Sequence, residues 1–571
     1  MTLRTGASRI VDALQAGGVH CVFGLPGTQT LELFEALRQS GMRTVVATNE
    51  LSAAFMAGGW ARITGIPGVL VTISGPGFTW ALTAVAEARL DSVPLVHIAG
   101  SPPKDPVERS FRQQEIDQKA IAAPLVKEVV DADGYDDPAL AIFDALRSAG
   151  SGVPGPVLVE VTATTLGRDF EPRKRIDSIV ANGGSAAIEA VRLRLGSARR
   201  PVLVVGRGVN RYPEQLRVLA ETLHAPVITT PSARGALPED HPLNLGFDSF
   251  GGSVSGLNEL LRSADIVIAI GCKLSHSDTS GFELNLPQDR LVHVAASADV
   301  IELNYPVSLG VVGDAGEVLR GLVDCRPTRS SWTVEELHEW RPRVMPRRAH
   351  AIEPRVGGTF EASAVAFFRA LRSALPTDAV LVLDSGLHQV LARRHYIVLA
   401  AHGLIMPTDL QSMGFAIPTA IGAKLAAPER CVVALLGDGG FAMTALELLS
   451  AVREGIHLVV IVFADGAFGQ IRAQQLASYG STHGVDLTNP DFGLLAASVG
   501  ARYESVGDTD RIEDVVRRSL ASAGVTVIEV GVRDAFPMRR VAATARAREA
   551  TRRAAGPRLV QLLTKLFRRS G

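Results

Sequence analysis

The stretch Leu435 to Gly469, LLGDGGFAMTALELLSAVREGIHLVVIVFADGAFG, decides how the whole chain is read. With CVVA directly before it, LL closes an apolar run that reads as a strand, and Gly437 to Gly440 form a turn. FAMTALELLSAVREG has the length and periodicity of a helix, and HLVVIVF is a second strand that stops at Asp465. Strand, helix and strand make one βαβ unit, so Asp438 and Asp465 both stand at carboxyl ends of parallel strands, the edge at which open α/β sheets bind ligands. The glycines let the backbone approach a phosphate, and the start of the following helix offers free N–H groups and the positive end of the helix dipole. Two carboxylates beside an anion site suit a hard, oxygen-seeking cation such as Mg²⁺. Gly-Asp-Gly and Asp465-Gly466 are also ordinary turn sequences. Their joint placement on one unit is what favours a metal-diphosphate site over two turns.

The same alternation runs outward through the chain. TVVAT, GVLVTIS, PLVHIAG and PVLVEVT lie in the first third, PVLVVG, PVITT, DIVIAIG and LVHVAA in the second, and AVLVLDSG, CVVALLGDG, LVVIVFADG and TVIEVG in the last. Apolar runs separated by helix-length amphipathic stretches predict an α/β protein built of doubly wound parallel sheets covered on both faces. Two stretches rich in Pro, Gly and charge, 171–187 and 325–358, break the pattern. They predict three domains, at about 1–165, 185–325 and 355–535, followed by a basic tail, 536–571. The first and third domains are candidates for a shared topology.

Bulk composition excludes several classes. A chain of 571 residues, 47% apolar and 20% charged, has the profile of a globular protein too long for one core. A formal net charge of −1 argues against a nucleic-acid binder. Cys21, Cys272, Cys325 and Cys431 lie far apart with no CxxC pair, which predicts reduced thiols in a cytoplasmic protein. The N-terminus, MTLRTGASRIVDALQAGGV, reads as an amphipathic helix rather than a signal peptide, and no run is apolar enough to span a membrane. From Phe536 onward there are ten Lys or Arg and one acid, Glu549. In that tail Leu559, Leu562, Leu563, Leu566 and Phe567 share a helical face ringed by Arg558, Lys565, Arg568 and Arg569, a pattern suited to docking on an anionic membrane, a partner, or the acidic body of the protein itself.

Taken in order, these features resemble the thiamine diphosphate-dependent enzyme superfamily, and within it the acetolactate synthase-like branch. The resemblance spans nearly the whole chain: VFGLPGTQTLELFEAL (22–37), TNELSAAFMAGGWAR (48–62), SGPGFTWALTAVAEARLDSVPLVHIAG (74–100), MGFAIPTAIGAKLA (413–426), the Gly-Asp-Gly stretch and NPDFGLLAASVGA (489–501). It implies that the first domain binds the aminopyrimidine of thiamine diphosphate, the third its diphosphate, and that the central domain is structural or nucleotide-binding. It also implies a homodimer or homotetramer, because in this family the two cofactor-binding domains come from different subunits.

The resemblance further implies roles. Glu50 matches the glutamate that hydrogen-bonds a pyrimidine ring nitrogen and favours the imino tautomer, which takes the proton from the thiazolium carbon. Met413 matches the bulky apolar residue that props the cofactor into its bent shape, a task suited to a soft, flexible side chain. Asp438, Asp465 and the Ala467 carbonyl match the Mg²⁺ ligands, and Gly437, Gly439 and Gly440 line the diphosphate. Gly386 and His388, in DSGLHQ, match a phosphate-contacting segment. Gln114 matches a glutamine near the substrate, and Lys127 a lysine at the channel. The implied activity is that of a carboligase or decarboxylase of a 2-oxo acid, a transferase or lyase. Carboligation in the acetolactate manner leads, with simple decarboxylation or carbon–carbon lysis second. A non-catalytic scaffold subunit is the rival from another class.

The chain also departs from the family. The usual Asn-Asn is Ala464-Asp465, which adds negative charge beside a polyanion. Trp80 stands in place of an asparagine, Asn49 in place of a histidine, and Gln113 in place of a phenylalanine. GCKLSHSDTSGF (271–282) lacks the Arg-Phe of flavin-binding members, and VHVAASADV (292–300) has alanines where an aspartate often meets a ribose. FAD is therefore not expected.

Overall fold

The computed structural model describes residues 4–103, 112–171, 185–248, 252–323, 330–345, 360–507 and 511–532. Cys325 and the basic tail lie outside the described residues.

Three parallel sheets follow one another along the chain, each between helices. The N-terminal sheet has six strands in the spatial order Arg43–Val46, Cys21–Gly24, Gly68–Thr72, Leu95–Ser101, Pro156–Thr162, Glu128–Asp131. The central sheet has five, Val227–Thr229, Pro201–Val205, Ile266–Ile270, Leu291–Ala295, Leu309–Val312. The C-terminal sheet again has six, Leu404–Ile405, Val380–Leu383, Val432–Gly437, Leu458–Ala464, Val525–Gly531, Arg502–Val506. Strands such as Val432–Gly437 and Ile266–Ile270 are buried almost throughout, as runs apolar on both faces require. A short antiparallel pair, Arg4–Thr5 with Asp169–Phe170, ties the two ends of the first unit together.

The structure departs from the expected second break. Within 325–358, Val334–Val344 is a helix of the central unit, with Trp332, Leu337, Trp340 and Val344 in its core. The Trp332 ring nitrogen donates to the Pro201 carbonyl at 3.0 Å. The charged residues around the tryptophans face outward, and the tryptophans carry the burial.

The two six-stranded sheets have the same strand order, second, first, third, fourth, sixth, fifth, counted along the chain. The helix after the second strand, Glu50–Thr64 in one and Ala416–Ala426 in the other, packs against its counterpart. A Cβ on Gly59 would lie 2.2 Å from the Thr419 carbonyl oxygen, and one on Gly422 would lie 2.0 Å from that of Met56. The chain offset that carries Gly59 onto Gly422 also carries Met56 onto Thr419, so the crossing is a local two-fold between unlike sequences. The same offset carries Glu50 onto Met413.

The central unit is fastened to the C-terminal one by buried charge. Arg234, fully buried, donates to both Glu239 carboxylate oxygens, at 2.7 and 3.2 Å, and to the carbonyls of Arg393 and Tyr396. Arg393 in turn donates to Asp248 at 2.9 Å. Buried charge of this kind is tolerable only when paired and hydrogen-bonded, as here.

Candidate active site

At the C-terminal sheet, three acids follow three adjacent strands: Asp384 after Val380–Leu383, Asp438 after Val432–Gly437, and Asp465 after Leu458–Ala464. Asp438 is buried, and its Oδ2 accepts from the backbone N–H of Asp465 (3.2 Å) and Gly466 (2.7 Å) and from the Asn489 side chain (2.8 Å). Its Oδ1 accepts from Gly439 N–H at 2.9 Å. The carboxylate of the first strand end thus holds the turn that carries the second acid. Burial and then the neighbouring Asp438 charge raise Asp465 above the usual carboxylate range. Arg472, with its guanidinium 3.8 Å from Asp465, supplies a positive charge on the helix that follows.

The glycines are placed by close approach. A Cβ on Gly440 would meet the Asp384 carboxylate carbon at 3.1 Å, and one on Gly439 the Phe468 ring at 2.8 Å. Gly437 faces His388, whose ring would be 3.4 Å from an added Cβ. One expectation changes in detail: the Gly439 N–H is already engaged by Asp438, so a phosphate would find it shared. The Ala467 carbonyl likewise accepts from Gly469 N–H at 2.8 Å, which leaves it one lone pair.

His388 is buried, and its Nε2 lies 2.9 Å from the Asp384 carbonyl oxygen. A carbonyl only accepts, so Nε2 carries the hydrogen and Nδ1 is the acceptor, and burial lowers the ring to about 4. Gly386, at φ 144°, opens the helix that carries it. Met413, half-buried, precedes Gly414 at φ 74°. This segment is pinned by Asp384, which accepts from Gly414 N–H and Ala416 N–H, both at 3.1 Å. Burial raises Asp384 to about 7 against the pull of these donors. Asp384 and Asn489 are site-building residues that motif matching passed over, although both lay inside quoted stretches.

On the N-terminal sheet, Glu50 is the first residue of its helix and Asn49 caps it, the Asn49 side chain accepting from Ser52 N–H at 2.8 Å. The residue that replaces the family's histidine is therefore an N-cap. The half-buried Glu50 carboxylate lies over Gly77, where an added Cβ would sit 2.8 Å from it, and it has no hydrogen-bond or ion-pair partner among the described residues. Gln114, at φ 60°, packs on Gly75 and accepts from the Gln29 side chain at 2.8 Å. Glu50, Gly75, Gly77, Gln29 and Gln114 thus form one cluster at the carboxyl edge of this sheet. Lys127 is not among them. It precedes the strand Glu128–Asp131, at the opposite edge, and donates to the Ser148 and Ser151 carbonyls, which satisfies the end of the helix Pro138–Gly150. Trp80 stands exposed on the helix Pro76–Leu90.

Two further features bear on cofactors. A cavity of about 220 Å³ lies where the N-terminal, central and C-terminal units meet, lined by Arg62, Asp91, Arg207, Lys273, Asp278 and His402 among others. The stretches 271–282 and 292–300 both contribute to its wall. At the site itself the residues fit a metal-bound diphosphate. Asp438 and Asp465 bring carboxylate oxygens to the ends of adjacent strands, the donor type a hard cation takes, beside a turn where a Cβ on Gly439 or Gly440 would meet a neighbour at 2.8 or 3.1 Å.

Comparison with known proteins agrees with this geometry. The chain matches three family profiles in order: the N-terminal TPP binding domain of thiamine pyrophosphate enzymes over residues 4–121, their central domain over 188–322, and their C-terminal TPP binding domain over 384–530. It is 32% identical over 542 residues to a probable 2-ketoarginine decarboxylase of Pseudomonas aeruginosa, covering 92% of this chain and 94% of that protein. It is 33% identical to an acetolactate synthase of Mycobacterium bovis (90% of this chain, 85% of that protein). It is 31% identical to the large subunit of acetolactate synthase isozyme 1 of Escherichia coli (83% and 84%).

Proposed function

The chain belongs to the thiamine pyrophosphate enzyme family, and we propose that it is a thiamine diphosphate- and Mg²⁺-dependent carboligase of a 2-oxo acid, working in the acetolactate manner. The observation that carries this reading is the pairing of Asp438 and Asp465 at the ends of adjacent strands, around the glycine turn. In this reading Asp438, Asp465 and the Ala467 carbonyl hold Mg²⁺, and Gly437 to Gly440 with His388 line the diphosphate. Met413 props the cofactor. Thiamine diphosphate, when bound, would supply a thiazolium carbon acidic enough to become a nucleophile and a positively charged ring able to take up the electron pair released with carbon dioxide. Glu50 shares its proton with the pyrimidine ring, and its lack of an internal partner supports that role. General acid–base help of this kind contributes about 10²–10⁴-fold. Gln114, next to the same loop, faces the substrate.

Decarboxylation without ligation is the second reading, favoured by the likeness to the probable 2-ketoarginine decarboxylase. Flavin is not expected in either reading, because 271–282 lacks the Arg-Phe of flavin-binding members and 292–300 has alanines where an aspartate often meets a ribose. Exposed Leu31, Trp80, Leu446 and Leu449 support a homodimer or homotetramer. No helix among the described residues is long and apolar enough to cross a membrane.

The test uses purified protein with thiamine diphosphate, Mg²⁺ and a panel of 2-oxo acids that includes pyruvate and a guanidino-substituted acid. Carbon dioxide and the carbon product are followed beside a Glu50→Gln control. Acetolactate from pyruvate, lost in the control, supports the first reading, and an aldehyde supports the second. No turnover of any acid despite bound cofactor would overturn both.

A further inference from the structure

Beside the local two-fold, a second pair of contacts joins the outer domains in similar fashion, though not at the same chain offset. Glu447, completely buried, follows the third strand of the C-terminal sheet, and Glu87, also buried, lies on the helix after the third strand of the N-terminal sheet. Each reaches across to the other domain and does the same thing there. Glu447 accepts from the backbone N–H of Thr48 at 3.2 Å and from its hydroxyl at 2.5 Å. Glu87 accepts from the backbone N–H of Ser412 at 3.0 Å and from its hydroxyl at 2.7 Å. Thr48 stands two residues before Glu50, and Ser412 directly before Met413, the pair that the two-fold interchanges. Nothing local requires these contacts, since their partners are 399 and 325 residues apart in sequence.

We propose that Glu87 and Glu447 are reciprocal positioning residues, each fixing from its own domain the loop by which the other domain presents its cofactor-directed side chain. Glu447 sets Glu50, and Glu87 sets Met413. This rests on the functional reading of Glu50 and Met413, and the clamps themselves rest on geometry alone. A carboxylate holding both an N–H and an O–H of one residue fixes that residue's backbone orientation as well as its distance. A misplacement of about 1 Å at a reacting group costs on the order of 10²-fold in rate.

The test compares Glu447→Met and Glu87→Met, which keep volume and remove the acceptor, with Glu447→Gln and Glu87→Gln, which keep an acceptor oxygen. Thr48→Val and Ser412→Ala strip only the hydroxyl from the far side and stand in if a methionine variant fails to fold. Two readouts apply. In the protein without cofactor, backbone amide exchange by mass spectrometry should rise around 48–53 in Glu447→Met only and around 411–417 in Glu87→Met only, with the glutamine variants close to wild type. With thiamine diphosphate and Mg²⁺, Glu447→Met should slow exchange of the cofactor's thiazolium proton by about tenfold or more at little change in cofactor Kd. Glu87→Met should raise Kd by about tenfold at little change in that exchange.

Equal effects of the two methionine variants on both readouts, or no local rise in amide exchange, would overturn the proposal. A wild type that binds no thiamine diphosphate would overturn the functional reading alone, and amide exchange would still decide the clamps.

Discussion

Replacing Gly422 by alanine should destabilise the pairing of the two outer domains, although helix propensity argues the other way. Alanine gains about 1 kcal/mol over glycine in a helix interior. The new Cβ, however, would stand 2.0 Å from the Met56 carbonyl oxygen, and ordinary contact begins at 3.4 Å. The obstacle is main chain, so no rotamer change relieves it, and the helices Glu50–Thr64 and Ala416–Ala426 must part by about 1.4 Å, the difference between those distances. Parting them also loosens the edge-on pair Phe55–Phe415, whose ring centres are 5.2 Å apart. Overpacking of this kind costs about 1–3 kcal/mol, and more where backbone must move. We therefore expect a net loss of about 2 kcal/mol and a fall in melting temperature of roughly 4–8 °C. Gly59→Ala, with its Cβ 2.2 Å from the Thr419 oxygen, should behave alike, and the double variant should lose less than the sum, because the helices part once. Gly58→Ala is the control: it lies on the same helix, its Cβ would meet nothing within 4 Å, and it should be neutral or stabilising. Thermal and urea melts of the three proteins decide the matter. If Gly422→Ala and Gly59→Ala melt with Gly58→Ala, the close crossing does not exist.

Asp438→Asn should weaken Mg²⁺-dependent thiamine diphosphate binding by at least about tenfold by calorimetry, since it removes a charge and turns an amide toward backbone donors. Asp465→Asn should stay within about threefold of wild type, because the amide keeps one oxygen ligand while it removes the repulsion from Asp438. Arg234→Met removes the guanidinium beside Glu239 and should cost about 3–5 kcal/mol, read as an early unfolding transition in urea. Burial holds His97 down to about 3, against an ordinary 6.5. Its contribution to stability is therefore intact above pH 6.5 and lost as pH falls toward 3. His97→Gln, which can keep the hydrogen bond to Thr72, should narrow the difference in melting temperature between pH 7 and pH 5.

The sheets were legible because their strands are apolar on both faces and their helices are not, a contrast that survives any tertiary arrangement. Asp438 and Asp465 were legible for the same reason: a strand that ends in an acid places that acid at a known edge. Glu50 begins its helix because Asn49 caps it, again a local effect. Asp384, Asn489, Glu87 and Glu447 were not legible as site-builders, because each acts on a segment brought near only by the fold. A signal was present in Glu87 and Glu447, each an acid set among the apolar residues of its helical stretch, AVAEARL and ALELLS. Lys127 could be matched only by its motif context, and the fold sets it before its strand, at the opposite edge from Glu50 and Gln114. The helix Val334–Val344 hid behind Pro342 and its charges, and only Trp332 and Trp340 betrayed a core.

The crossing at Gly59 and Gly422 has a mechanical consequence. With main chain against main chain at the pivot and a carboxylate contact on either side, any slide or roll of one outer domain on the other would press backbone into backbone and break both contacts. Such a crossing leaves the loops that rim the sheet edges as the parts freest to move around a bound ligand.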